Sequence, residues 1–207
     1  AYIVRRKIPL GRFFRIAWFF PVLISWVVTG VIFRWVFNYD WGIVNVTLHN
    51  VGLGFLAQNW LGNPATALPS LIAVTTWKWI GWNFVILLAA LSSIPEDLLD
   101  AARVDGANDL QVIWNIILPL LRPIFVNLMI LCFIGKMKVF DLVWIMTRGG
   151  PLGTTETVST YVQRRAFEWN TLDLGYPSAI AVLWFVIVFG GWLVFTRLFR
   201  SRESVEF

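Results

Sequence analysis

Charge is scarce in this sequence. Asp, Glu, Lys and Arg make up 14% of its 207 residues, against 58% apolar residues, whereas a soluble domain of this size usually carries about a quarter charged residues. Folded in water, such a chain would expose much of its apolar surface, so its natural solvent is lipid. Cysteine is nearly absent. Cys132 stands alone in an apolar stretch, which excludes an internal disulfide framework and makes it a packing residue. The single histidine, His49, gives a metal site little to build on. No GxxxxGK[ST] sequence occurs, so nucleotide chemistry is not carried here. The chain starts at Ala1, with no signal-peptide pattern ahead of the first apolar stretch, and the natural protein is expected to begin further upstream.

What is abundant is apolar run length. Crossing the hydrocarbon core takes roughly 20 apolar residues in a helix, and four stretches qualify: about 16–37, 67–91, 124–147 and 174–196. They must be helical, because lipid offers no partners for free backbone groups. Basic residues set the orientation. Arg5, Arg6, Lys7, Arg12 and Arg15 precede the first span, and Arg197, Arg200 and Arg202 follow the last. With an even number of spans both ends are expected to be cytoplasmic, as is the segment 92–119. The stretch 38–66 contains no Lys or Arg, as suits an exported loop, whereas 148–173 carries Arg148, Arg164 and Arg165 against the trend. The formal charge of +5 is thus mostly a topology signal. Spread along span ends, it does not form the basic face that nucleic acid requires.

The loop 92–119 is the most informative segment. Ser93-Ile94-Pro95-Glu96 has the form of a capping box, and Pro95 suits a first helical turn. Gly106 can supply a left-handed stop, and Asn108 with Gln111 resembles a second cap. Two short helices with a glycine turn are expected, the second ending near Leu118-Pro119. Ala101 and Ala102 leave part of the first helix almost without side chain, and the local charge is acidic: Glu96, Asp97, Asp100, Asp105 and Asp109 against Arg103. On this pattern alone an ordinary capped connector remains an equal reading.

The spacing Asp100-Ala101-Ala102, then Gly106, then Ile116-Ile117-Leu118-Pro119 resembles the EAA loop of ABC-importer permeases. Asp100 stands where Glu is usual and keeps the charge. Trp77-Lys78-Trp79-Ile80-Gly81, Phe140-Asp141, Thr147-Arg148-Gly149-Gly150-Pro151, Ala166-Phe167 and Gly175-Tyr176 extend the likeness to nearly the whole chain. It is nearest the carbohydrate-importer type, in the subunit carrying the Gly-Gly-Pro loop. The resemblance implies an all-α integral membrane fold, a type I ABC importer permease core with four spans in view and N-terminal spans missing. It further implies Asp100, Ala101, Ala102 and Gly106 as docking residues for a separate ATPase. The other implied partners are a homologous second permease subunit, two ATP-binding cassette subunits and an extracytoplasmic solute-binding protein met by the loop 148–173. No cofactor is expected on this chain, since ATP and Mg belong to the ATPase. The implied location is the bacterial cytoplasmic membrane.

Polar residues inside spans usually face a cavity or a partner. Lys78 lies about 11 residues into the second span, roughly 17 Å deep, and Lys136 reaches a similar depth. Lys138 and Asp141, three apart, are placed to pair on one helix face. The family's solute sites come from the second and third spans, which implies Trp77, Gly81, Phe84, Lys136 and Val139 as lining residues, with aromatic faces for sugar rings. Helix packing is the competing reading for each of them. The sequon Asn45-Val46-Thr47 is uninformative in a bacterial protein. An intramembrane enzyme using Asp141 with Lys136 or Lys138 lacks a nucleophile pair, a metal-ligand cluster and a cofactor loop, and a structural scaffold leaves the EAA spacing unexplained.

Overall fold

The computed structural model describes residues 11–168 and 174–199, and no strand occurs among them. The helices are α1 (Gly11–Leu23), α2 (Trp26–Val36), α3 (Ile43–Asn50), α4 (Pro64–Ser92), α5 (Glu96–Val104), α6 (Asp109–Val112), α7 (Leu118–Met137), α8 (Asp141–Met146), α9 (Val158–Phe167) and α10 (Gly175–Phe199). A π-helical turn, Ile113–Ile117, joins α6 to α7 without interruption. Of the N-terminal basic cluster, Arg5, Arg6 and Lys7 lie outside the described residues, as do Arg200 and Arg202 at the other end. The chain divides into two compact units, one of Ala1–Val22, Trp79–Ile134 and Gly191–Phe207, the other of Leu23–Lys78 and Gly135–Gly190.

Three helical runs are long and apolar enough to cross a membrane: Pro64–Ser92, Asp109–Met137 and Gly175–Phe199. The first starts where Asn63 Oδ1 accepts from Ala65 N at 3.0 Å, and its 29 residues reach roughly 44 Å. None of the 18-residue apolar window of α10 is buried, and Leu183, Phe185 and Ile187 lie open, the surface expected of a helix whose solvent is lipid.

The stretch expected as one span, 16–37, is instead two helices, α1 and α2, bent by 100° at the break between them. Pro21 lies inside α1 and is not where the chain turns. The turn is at Ser25, whose backbone is extended and whose Oγ accepts from Val28 N at 3.2 Å. A break inside lipid must have its free backbone groups satisfied by side chains, and here the donor comes from α4. The Lys78 ammonium donates to the Ile24 carbonyl and to Thr29 Oγ1 at 3.3 Å, and lies 4.8 Å from the centre of the Trp26 ring. Lys78 is buried, and Thr29 is buried beside it.

The expected stretch 124–147 does not coincide with one helix either. The helix starts earlier, at Asp109, and stops at Met137; a separate helix begins at Asp141. The Met137 carbonyl accepts from Trp184 Nε1 at 3.1 Å, and the Val139 carbonyl accepts from Thr157 Oγ1 at 3.1 Å. Lys138 therefore lies in a linker and not on one helix face with Asp141, and the two form no ion pair. Leu142, Val143 and Met146 of α8 pack with Leu71 and Val74 of α4 into a core that Trp26, Phe33, Phe37, Leu61 and Val139 flank. Gly30 of α2 lies so close to Ile145 that a Cβ there would meet its side chain at 2.9 Å.

The stretch 38–66 is tied together by one side chain. Asn45 is buried; its Nδ2 donates to the carbonyls of Tyr39 (3.0 Å) and Gln58 (3.1 Å), and its Oδ1 accepts from Trp60 Nε1 (2.7 Å) and Gln58 N (3.3 Å). Every capacity of the amide is used, so the sequon holds a structural asparagine. Asn45→Leu leaves four part-buried polar groups without their partner, at about 1 kcal/mol each. It is expected to lower the midpoint of thermal unfolding by roughly 10 °C, read by intrinsic tryptophan fluorescence; a variant as stable as the wild type would contradict this role.

The basic residues of the loop after α8 have structural uses. Arg164 Nη1 donates to Glu156 Oε1 at 2.7 Å and its Nη2 donates to the Arg148 carbonyl, while Arg165 sits over the Tyr176 ring at 5.2 Å. A hydrogen bond with Tyr176 pushes the Tyr161 hydroxyl above the usual tyrosine range. α9 opens on a reciprocal cap between Thr157 and Thr160. These roles account for Arg164 and Arg165 where topology alone predicts few basic residues.

Candidate functional site

The segment 92–119 folds as two capped helices over a small apolar core. Ser93 does not cap α5. Its Oγ donates to the Ala90 carbonyl at 2.8 Å, closing α4, and Pro95 is the residue that precedes the first turn of α5, with no side-chain cap. Proline there fixes an extended approach and has no N–H to satisfy. Glu96 and Asp97 occupy the first turn, where the helix dipole favours acids, and Arg103 occupies the last.

The turn out of α5 is a Schellman arrangement. Ala107 N donates to the Ala102 carbonyl and Gly106 N to the Arg103 carbonyl, each at 3.0 Å, with Gly106 at φ +83°. α6 then opens on the reciprocal cap expected for Asn108 and Gln111, at 2.9 and 2.8 Å. Leu91, Ile94, Leu99, Val112, Ile117 and Leu121 form the core beneath, with Ala102 and Ala107 packed against it.

This core fixes what points outward. Asp100, Ala101 and Gly106 are exposed, whereas Ala102 is half-buried against the core. A Cβ on Gly106 would meet nothing within 4 Å. The glycine is thus required by its backbone angle and not by crowding from its own chain. Asp100 is paired with Arg103 at 2.7 Å, an exposed contact of little energetic weight. In the same segment Val104 is 88% exposed, Leu110 and Trp114 are each 67% exposed, and the acids Glu96, Asp97, Asp105 and Asp109 are exposed too. Sequence reading did not single out these three apolar residues. For Val104 the signal was phase, since it lies five residues from the buried Leu99. Leu110 and Trp114 lie seven and three residues before the buried Ile117 and on a regular α-helix would share its face, so the pattern hid their exposure. Large apolar residues left exposed among acids in one short segment are the composition of a protein contact.

The residues expected along a solute path have defined surroundings. Trp77 meets Phe33 edge to face at 5.1 Å, and Phe84 stacks on Trp18 at 6.3 Å. Gly81 permits a close approach of α1, since a Cβ would come within 2.2 Å of the Trp18 carbonyl oxygen. Lys136 is exposed in the last turn of α7, and Val139 flanks the core around Leu142. Among the described residues no cluster of His, Cys, Asp and Glu is suited to hold a metal.

Residues 1–202 match the sequence profile of the "Binding-protein-dependent transport system inner membrane component" family. The chain is 32% identical over 202 residues to "Probable ABC transporter permease protein YurN" of Bacillus subtilis, covering 98% of this chain and 68% of that one. To "Trehalose/maltose transport system permease protein MalF" of Thermococcus litoralis it is 36% identical over 188 residues, covering 88% of this chain and 62% of that one. In fold it is similar to a chain in the crystal structure of a "bacterial alginate ABC transporter in complex with alginate pentasaccharide-bound periplasmic protein". The TM-score there is 0.84 and the identity 23%, over 95% of this chain and 68% of that one. The chain thus spans roughly two thirds of the length of the proteins it resembles.

Proposed function

Because the chain belongs to the binding-protein-dependent transport system inner membrane components, we propose that it is a membrane-spanning subunit of an ATP-driven carbohydrate importer, forming half of the solute path. The single observation that carries the coupling role is that Ala101, Val104, Leu110 and Trp114 stand exposed, with Gly106, on a capped pair of helices over their own core. A loop that only connected two spans would have no reason to place two large apolar residues outward over a finished core. Docked in a cleft of an ATPase subunit, the segment passes closure of that subunit to the helix running unbroken from Asp109 to Met137. The chain is a transport component and not an enzyme; ATP and Mg act on the partner.

Carbohydrate is the solute class favoured by the relatives' names and by the aromatic residues Trp77 and Phe84 on α4, with Gly81, Lys136 and Val139 as the further lining positions. The rest of the assembly follows the same reading: a homologous second permease subunit, two ATPase subunits, and a solute-binding protein outside the cytoplasmic membrane, met by the loop 148–173. Both ends of the chain then lie in the cytoplasm.

The test is affinity purification of the chain from its native membrane in mild detergent, followed by an ATPase assay. A Walker-type ATPase and a second permease are expected to co-purify, with hydrolysis stimulated by a sugar-loaded binding protein. Recovery of the chain alone, with no ATPase, would overturn the reading.

A further inference from the structure

Within the first unit, α7 and α10 line a groove of about 440 Å³ that combines apolar and polar side chains. Ile130 and Leu193 line it, together with Asn127, Trp192, Thr196 and Arg197. Asn127 is exposed midway along an apolar helix, and Arg197 is exposed in the last turn of α10. The Thr196 hydroxyl is already donated to the Trp192 carbonyl, so the donors left for an occupant are the Asn127 amide and the Arg197 guanidinium. Among the described residues no carboxylate pairs with Arg197. Arg122, next in the chain to the groove residue Pro123, is also exposed.

We propose that this groove binds an anionic phospholipid, its phosphate on Arg197 and Asn127 and an acyl chain along Ile130 and Leu193. A lipid phosphate offers charged acceptors to both donors, and basic pockets between spans on the cytoplasmic side hold anionic headgroups. An apolar helix laid in the same groove would offer the guanidinium no counter-charge. The placement rests on the importer reading only for its orientation, which puts Arg197 in the cytoplasmic leaflet.

The experiment is native mass spectrometry of the purified full assembly with phosphatidylglycerol or phosphatidylcholine added at equal concentration. Phosphatidylglycerol is expected to be retained roughly fivefold better, with the preference lost in Arg197→Gln and kept in Arg197→Lys. Asn127→Leu is expected to weaken retention while keeping the preference for negative charge. Equal retention of the two lipids, an undiminished preference in Arg197→Gln, or a protein helix filling the groove in a structure of the assembly would each overturn the proposal. Subunit composition read in the same spectra reports separately on the importer assignment.

Discussion

Lys78→Met is expected to destabilise the protein by about 3 kcal/mol, lowering its unfolding midpoint by roughly 10 °C. The side chain is close in length, so packing changes little, but one buried and one half-buried acceptor lose their donor. The Ile24 carbonyl sits at the break between α1 and α2, and Thr29 Oγ1 lies one turn into α2. Loss of the contact with the Trp26 ring adds a smaller amount, of order 1 kcal/mol. Lys78→Arg keeps the charge but brings a larger, planar head into a buried site, and an intermediate loss is expected. Thermal unfolding in nanodiscs, with uptake measured beside it, distinguishes this from a solute-binding role. If Lys78→Met kept its full stability while losing affinity for the solute, the lysine would belong to the solute path and the account of the bend would fail.

The second large effect is expected at Gly106. Two properties of the glycine are separable there. Its backbone is left-handed at φ +83°, which costs an ordinary L-residue roughly 1–2 kcal/mol but is tolerated by asparagine. Its Cβ position is open, so a side chain there disturbs nothing in its own chain and only what docks from outside. Gly106→Asn therefore tests bulk with little backbone strain, and Gly106→Ala tests strain with little bulk. If the surface seats in an ATPase cleft, Gly106→Asn is expected to insert and assemble normally with its binding-protein-stimulated hydrolysis reduced at least about tenfold, equivalent to roughly 1.4 kcal/mol of lost docking. Gly106→Ala is expected to lose less. Normal stimulated hydrolysis in Gly106→Asn would remove the glycine from the interface and leave it a purely local turn residue.

The two sites differed in how much of them the sequence disclosed. α4 and α10 were legible because an uninterrupted apolar run of this length has one stable form in lipid. The turn at Gly106 and the cap at Asn108 were legible because each is decided within a few residues. The breaks after Leu23 and Met137 were hidden, since a run of apolar residues does not register where the backbone ladder stops. What permits each break is a donor far along the chain: Lys78 for Ile24, Trp184 for Met137 and Thr157 for Val139. Lys78 was visible as an anomaly, a charge in a span, but its partners lay 49 and 54 residues away. Ser93 misled for the opposite reason. The local pattern fitted a cap, and the end of α4 took the hydroxyl first.

The wide turn at Ile113–Ile117 sets a counting rule for the chain. Val112 and Ile117 are both buried in one core although they stand five positions apart, whereas an α-helix repeats its face after three or four. The turn absorbs one surplus residue, as π turns do, and Trp114, within it, is pushed outward. Removing a single residue such as Asn115 would shorten the spacing to four and let an ordinary α-helix run from Asp109 to Met137 with Ile117, Leu121 and Leu128 still inward. Adding one would rotate the whole membrane portion of that helix by roughly 100° against the loop. Length variation in this segment is therefore free in one direction only.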